Sequence, residues 1–293
     1  DQRDPDGDGL SNYGELVIHG TDPDNADSDG DGVNDNVELA DETDPNDADD
    51  YNFLSRGLVA YYPFNGNADD ESGNGHDGIV TGATLAPDRY GNPGRAYRFD
   101  GNADYIDATD DGFPAGDSDR SLSLWVNSGG ARGAVIDHLV NYGSVGQGQA
   151  FGLWHGSRTV GVYGSLNDFV INQPLTTGTW EQWVITFGGG EVEVYRNGRV
   201  VDSGQLELNT VLNRLRIGSA PHDERVGSTD FTGELDDIRI YSRIFAEEEV
   251  MELYQRERPA VYNLDVLASA NGSAGGAGIY PANTVATLDA SPD

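Results

Sequence analysis

Val192-Glu193-Val194-Tyr195-Arg196-Asn197-Gly198-Arg199-Val200-Val201 places two β-type runs on either side of Asn-Gly. That dipeptide supplies the two consecutive positive-φ residues a two-residue hairpin turn needs, and the flanking valines alternate with polar residues. The stretch therefore reads as a tight antiparallel hairpin. Outward from it the same pattern recurs between about Tyr51 and Arg258. Runs at Leu58 to Tyr62, Ala96 to Asp100, Leu122 to Val126, Ala134 to Leu139, Phe151 to His155, Thr179 to Phe187, Leu215 to Gly218 and Leu235 to Tyr241 are separated by Gly, Asn and Asp. Ten or more short strands with turn residues between them imply an all-β, antiparallel two-sheet sandwich. One helix is expected, from Ala246 to Arg256. It carries Val250, Leu253 and Tyr254 on one face, and Glu247, Glu248 and Glu249 at its electropositive N-terminus.

Residues 1 to 50 have a different character. They hold eighteen Asp and Glu against the single Arg3, which is half of the chain's formal charge of −34. Within them Asp4-Pro5-Asp6-Gly7-Asp8-Gly9-Leu10-Ser11-Asn12-Tyr13-Gly14-Glu15 is repeated 23 residues later as Asp27-Ser28-Asp29-Gly30-Asp31-Gly32-Val33-Asn34-Asp35-Asn36-Val37-Glu38. Each matches a twelve-residue calcium loop: acids at positions 1, 3 and 5, glycine at 6, a backbone carbonyl from Leu10 or Val33 at 7, Asn12 or Asp35 at 9, and Glu15 or Glu38 at 12. An acidic solvated linker would not keep that spacing twice. The extra charge of Asp35 predicts tighter binding by the second loop at equal rigidity. Carboxylates 4 Å apart repel by roughly 1 kcal/mol in water and about 4 at an effective dielectric of 20. With few apolar residues to oppose this, folding and metal binding are expected to be one equilibrium.

The segment resembles thrombospondin type 3 repeats. Besides the loops, Gly20-Thr21-Asp22-Pro23-Asp24-Asn25-Ala26-Asp27 and Glu42-Thr43-Asp44-Pro45-Asn46-Asp47-Ala48-Asp49 are similar to that family's connector, the second with Glu42 in place of glycine. The prolines disfavour the helix that would enter each loop of an EF-hand pair. Dockerin modules share the loop but fit the connectors less well. The resemblance implies an ion-threaded spacer.

The strand region resembles a laminin-G-like domain of the concanavalin A-like lectin and glucanase superfamily. The resemblance rests on Gly57-Leu58-Val59-Ala60-Tyr61-Tyr62-Pro63-Phe64, on Asp70-Glu71-Ser72-Gly73-Asn74-Gly75 and, later in order, on Ser121-Leu122-Ser123-Leu124-Trp125-Val126, Trp180-Glu181-Gln182-Trp183 and Gly233-Glu234-Leu235-Asp236-Asp237-Ile238-Arg239-Ile240-Tyr241. It implies a jelly roll with the last helix on its rim. It also implies a structural calcium between Asp70 and Asp236, with carbonyls near Gly75; the alternative is that Asp70 caps a turn and Asp236 solvates a strand end. Residues 259 to 293 look like the start of a bacterial internalin-B-type β-repeat. The expected organisation is repeats over 1–50, sandwich over 51–258 and a partial β domain over 259–293.

Glu234-Leu235-Asp236-Asp237-Ile238-Arg239 invites comparison with the E-x-D-x-x-E strand of the superfamily's glycoside hydrolases, in which two carboxylates lie about 5–5.5 Å apart. Here the sixth position is Arg239, which cannot donate a proton at neutral pH. The five histidines have no repeated metal spacing and no Gly-x-Ser-x-Gly elbow occurs. A non-enzymatic module is expected, acting in adhesion or carbohydrate recognition. The alternatives are a structural subunit of an extracellular assembly that binds further copies of itself, and an accessory region of a polysaccharide-degrading enzyme. Sugar-binding candidates are Tyr142 beside Asn141, Trp154 beside His155, and Tyr163, although strand aromatics such as Trp154 are more often packed; Trp125, Trp180 and Trp183 are expected in the core.

Partners are bounded by the same composition. Calcium is expected, with a glycan or another copy of the chain; nucleic acid is not, because the positive footprint it requires is missing. No apolar run approaches the roughly 18 residues of a membrane span. The chain has no cysteine, so no disulfide or thiolate chemistry is open to it, and all seventeen basic residues are Arg. The lysine-free acidic composition fits a high-salt habitat and a biased genome equally. Calcium loops of extracellular modules work at about 0.1–1 mM, which places the protein in a secreted or cell-surface setting. With no initiating Met and no visible leader, the sequence reads as a piece of a longer precursor.

Overall fold

The computed structural model describes residues 2–48, 50–131, 136–220, 230–264, 272–275, 278–281 and 289–292. Each acidic loop is left through a short helical segment, a π-helical turn at Gly14–His19 and helix α1 at Asp35–Asp41. Both close on a left-handed residue whose N–H returns to the carbonyl of the distal glutamate: Gly20 at φ 79° to Glu15, and Glu42 at φ 62° to Glu38. The Pro23 and Pro45 connectors then run as turns.

The sandwich strands are β1 Leu58–Tyr62, β2 Ile79–Thr81, β3 Thr84–Ala86, β4 Ala96–Asp100, β5 Tyr105–Ala108, β6 Arg120–Ser128, β7 Asp137–Gly143, β8 Ala150–His155, β9 Val160–Val162, β10 Phe169–Ile171, β11 Trp180–Gly188, β12 Glu191–Arg196, β13 Arg199–Gln205, β14 Leu215–Ile217 and β15 Thr232–Tyr241. One antiparallel sheet runs β13-β12-β11-β6-β15-β4-β3, with β1 paired to the far half of β15 beyond a bulge; the other runs β10-β9-β8-β7-β14-β5-β2. This is the two-sheet jelly roll. The β12–β13 turn is the Asn-Gly hairpin, with Asn197 at φ 53° and Gly198 at φ 76°. Ala134 and Val135 of the expected Ala134 to Leu139 strand lie outside the described residues, and β7 starts at Asp137.

Alternation explains the layers. Leu122, Leu124 and Val126 of β6, Trp183, Ile185 and Phe187 of β11, and Leu235, Ile238 and Ile240 of β15 turn inward against Val140, Tyr142, Phe151, Leu153, Leu215 and Ile217 of the other sheet. The outward face of the first sheet is not polar throughout: Val184, Tyr195 and Tyr241 also point there. Helix α2, Glu247–Glu257, covers them with Val250 and Leu253, and Phe53 and Phe245 complete the cluster. Fully burying Val250 and Leu253 contributes about 1.5–3 kcal/mol each. The helix thus lies on a sheet face, not on the rim as expected, because that face carries apolar side chains that need a cover. Trp125, also outward, is buried under the end of α2, stacked on Tyr254.

In the tail, β16 Val261–Leu264 pairs with β18 Gly278–Pro281, and β17 Gly272–Gly275 with β19 Asp289–Pro292. The rest of the expected β-repeat lies outside the described residues. Among the described residues no helix is long and apolar enough to cross a membrane.

Candidate functional site

The two acidic loops have the same internal wiring. Asp4 accepts the N–H groups of Gly7 and Gly9 at 2.8 and 3.1 Å, and Asp27 those of Gly30 and Gly32 at 2.8 and 3.0 Å. Gly9 and Gly32, at φ 96° and 97°, adopt a conformation that L side chains avoid, which is why position 6 is glycine. Asp8 and Asp31 each take one further N–H, from Leu10 at 2.7 Å and Val33 at 2.8 Å. The loop backbone thereby gathers Asp4, Asp6 and Asp8, and likewise Asp27, Asp29 and Asp31, so that one oxygen of each lies within 4.8 Å of the others in its group.

After those bonds are made, one oxygen each of Asp6, Asp8, Asp29 and Asp31, Oδ1 of Asn12, and both oxygens of Glu15 and Glu38 remain buried without a hydrogen-bond partner. The two glutamates have no exposed surface. Burial first, then Asp6 and Asp8, pushes the Glu15 carboxyl up to about 7; burial first, then Asp29 and Asp31, pushes Glu38 up to about 8. Buried carboxylates left in this state are costly unless a cation joins them. An all-oxygen donor set of acids and one amide suits a hard divalent ion of the calcium type rather than zinc or copper.

Position 9 differs between the loops by more than charge. Both oxygens of Asp35 are taken by Ser28, the N–H at 2.8 Å and the hydroxyl at 2.8 Å, whereas the Asn12 oxygen has no donor. The charge of Asp35 bears on Asp8 and Glu15 of the first loop as well as on Asp29 and Glu38 of its own. Its charge is therefore not confined to the second loop.

The third ion expected between Asp70 and Asp236 is corrected by their partners. Asp70 accepts from the N–H groups of Tyr61, Ser72 and His76 at 2.9, 3.0 and 3.0 Å and from the Ser72 hydroxyl at 2.9 Å. It organises a turn, the alternative reading of that residue. Asp236 is paired with Arg89 at 2.8 Å, and burial followed by Asp237 raises its carboxyl against that pull. Four donors fill one carboxylate and a guanidinium neutralises the other. On the same strand Glu234 pairs with Arg98 at 2.8 Å, and Arg239 bonds Glu257 and Asp237.

Two of the three sugar-binding candidates are also corrected. Tyr142 is wholly buried in the core, where its hydroxyl donates to the Pro114 carbonyl at 3.2 Å. Trp154 lies across Gly161 on the neighbouring strand; a Cβ there would stand 2.2 Å from its ring, and its indole N–H donates to Asp168 at 3.0 Å. With 5% exposure it offers no platform. Tyr163 is half-buried, its ring edge-on to His138 at 4.7 Å.

What sequence reading missed is a cleft of about 530 Å³ where the second repeat meets the sandwich. Val33, Val37, Leu54 and Leu58 form its apolar part, and Asn34, Asn52, Asn74, Tyr61 and Glu71 its polar part. The Ser55 hydroxyl donates to Asp41, and the Gly57 N–H to the Gly32 carbonyl at 3.4 Å, which seats the repeat against β1. No local pattern announces it, because its walls come from segments as far apart in the chain as Gly32 and Ser242.

These features agree with the comparisons. Residues 100–251, more than half of the chain, match the concanavalin A-like lectin/glucanases superfamily, and the protein belongs to it. Residues 4–26 and 27–48 each match the bacterial thrombospondin type 3 repeat. Among solved structures the chain is similar to domain 4 of AbnA, a GH43 extracellular arabinanase from Geobacillus stearothermophilus, in complex with arabinotriose: 25% identity over 68% of this chain and 98% of that one, TM-score 0.53. The binding domain of Paraclostridial Mosquitocidal Protein 1 shares 19% identity over 72% of this chain and 57% of that one, TM-score 0.56. The binding domain of botulinum neurotoxin serotype D/C shares 14% over 69% and 53%, TM-score 0.55. Here the chain spans a little over half of the relatives' length, and the likeness is one of fold. No curated protein matches the chain.

Proposed function

We propose that this chain is a non-enzymatic, calcium-binding recognition module of a secreted or cell-surface multi-domain protein, and that its ligand is carbohydrate. The observation that carries the reading is the direct seating of a cation-requiring repeat on a sandwich whose relative, domain 4 of AbnA, is in complex with arabinotriose. Asp4, Asp6, Asp8, Asn12 and Glu15 hold one calcium, with the Leu10 carbonyl; Asp27, Asp29, Asp31 and Glu38 hold a second, with the Val33 carbonyl. The glycan occupies the junction cleft. Its asparagine amides suit sugar hydroxyls, its apolar part suits C–H faces, and a chain with charge −34 favours a neutral polymer over an anionic one. Against catalysis stand the ion pairs of Glu234 and Asp236 and the guanidinium of Arg239.

The test is calorimetry of the full chain with arabinan and other neutral polysaccharides, in calcium and in chelator, beside a reducing-sugar assay. Binding in calcium, lost with Glu71→Ala or Asn34→Ala, and no release of reducing ends is the expected result. Hydrolysis, or no binding to any neutral polysaccharide, would overturn it.

A structural role in an assembly has one observation in its favour. Tyr13, Leu16, Val17 and Ile18 stand 52% to 65% exposed on the first repeat. Sedimentation as a monomer at every calcium concentration would remove that second reading. An accessory region of a polysaccharide-degrading enzyme is the same module in another context; the AbnA domain is one domain of an extracellular arabinanase.

A further inference from the structure

Acids outnumber arginines three to one in this chain, 51 against 17, yet a hollow of about 540 Å³ between the β12–β13 turn and helix α2 is lined by Arg196, Arg199 and Arg258 and by no acid. Its walls are fixed. The Asn197 N–H donates to the Gln182 carbonyl at 2.9 Å, and the Asn197 side-chain oxygen accepts the Gln182 N–H at 2.9 Å. Gly198 is pressed on the helix, where a Cβ would stand 3.0 Å from Tyr254 and 3.1 Å from the Met251 sulfur. Arg196 and Arg199 are directly opposite each other across the hairpin, and like charges so placed weaken a strand pair. Arg196 is answered by Glu181, and it donates to the Thr176 hydroxyl at 2.6 Å. Arg199 and Arg258 are exposed and form no ion pair among the described residues. A cation at a helix C-terminus complements the helix dipole, which accounts for Arg258 alone. It does not account for Arg199, which stands on another element, or for the lack of acids in the lining.

We infer that this hollow is a second ligand site, separate from the junction cleft, and that it takes the carboxylate of a uronic acid unit carried on an otherwise neutral glycan. Carbohydrate as the ligand class rests on the reading above; the anion site does not, because the hollow shares no lining residue with the cleft. Arg199 and Arg258 grip the carboxylate, for which the planar guanidinium fork is the matching donor. Met251, Val200 and Tyr254, the last stacked on Trp125, offer apolar surface to the sugar's C–H groups, and Gln255 offers an amide to its hydroxyls. An isolated acid fits better than a polyanion. The field of a chain with charge −34 is screened within about 8 Å at physiological salt, so one carboxylate in the hollow meets the arginines, whereas further charges along a polyanion would lie over acidic surface.

The full chain is titrated at about pH 7 with methyl glucuronide, its neutral twin methyl glucoside, acetate and glucose 6-phosphate, each followed by saturation-transfer NMR. The glucuronide is expected to bind about tenfold or more tighter than the other three, and to weaken as salt is raised to about 0.5 M. Arg199→Gln and Arg258→Gln each weaken it about tenfold with the melting temperature unchanged, and Arg199→Lys restores part of the loss. Acetate or glucose 6-phosphate binding as tightly as the glucuronide would reduce the hollow to a general anion contact and overturn the sugar assignment. Methyl glucoside binding as tightly, or wild-type affinity in both Gln variants, would overturn the role of the arginines. Arabinan titrated into the same proteins separates the two sites. Arabinan bound and glucuronide not bound overturns this inference alone; glucuronide bound and no neutral polysaccharide bound overturns the cleft reading and leaves this one standing.

Discussion

The guanidinium of Arg239 lies over the Tyr61 ring, 4.0 Å from its centre, while its nitrogens bond Glu257 at the end of α2 and Asp237 on its own strand. The same glutamate accepts from the Trp125 indole at 2.8 Å and the Gln182 amide at 3.1 Å. Where a hydrolase of this superfamily would keep an acid, this chain keeps the keystone of a buried ion network. Arg239→Met leaves Glu257 uncompensated and is expected to cost about 3–5 kcal/mol in urea unfolding, with much of it regained in Arg239→Met/Glu257→Gln.

Removal of calcium is expected to split the molecule in two. Residues 2–48 should exchange their amide hydrogens within seconds in chelator, because fifteen acids face one arginine there. The β6, β11 and β15 amides, in the middle of a sheet, should stay protected. Equal protection of both parts would contradict the cation requirement.

Acidity acts on the repeats in opposite senses with and without metal. In the metal-free fold Glu15 and Glu38 bind protons up to about pH 7 and pH 8, against 4.5 as the ordinary value. Their contribution to stability is complete below the ordinary value and is lost as pH rises through 7 to 8. Metal-free repeats should therefore be more ordered by circular dichroism at pH 5 than at pH 8.5. Calcium competes with those protons, so its affinity should rise about tenfold or more between pH 6 and pH 8 in calorimetry.

Glu42 occupies the left-handed position that Gly20 fills in the first repeat, φ 62° against 79°. A non-glycine residue there carries about 1–2 kcal/mol of strain, part of which glycine returns as chain entropy. Glu42→Gly is expected to stabilise the calcium-loaded repeats by about 0.5–1 kcal/mol, read as a shift in the chelator-sensitive melting transition.

Gly161→Ala should disturb Trp154 without touching a ligand. The new methyl would stand 2.2 Å from the indole ring, and overpacking of this kind costs about 1–3 kcal/mol. A shifted tryptophan emission with unchanged glycan affinity is the expected outcome.

The parts of the fold that were legible in the sequence are those in which chemistry allows one conformation. Asn197-Gly198 had to be a turn with two positive φ values, and Leu122, Leu124 and Val126 had to share a face. The strands β2, β3, β5, β9 and β10 escaped notice because three or four residues give no period, and Ile79, Val80 and Thr81 are all exposed. Trp154 offered its own clue in Gly161, but only the pairing of β8 with β9 reveals that the two face each other. The loops were readable because their ligands are local. The partners of Asp236 were not, since Arg89 stands 147 residues away and a carboxylate reads the same whether an ion or a guanidinium answers it.

Leu58, where the chain enters the sandwich, is directly opposite Tyr241, where it leaves, and Arg243 clasps the carbonyls of Arg56 at 2.8 Å and Phe53 at 2.7 Å. Tension between the leader and the tail would therefore peel β1 from β15 one rung at a time, a zipper and not a shear joint. The Arg243 clasp would take the load first, so a stretched molecule would yield at its threshold while the two sheets behind it stayed closed.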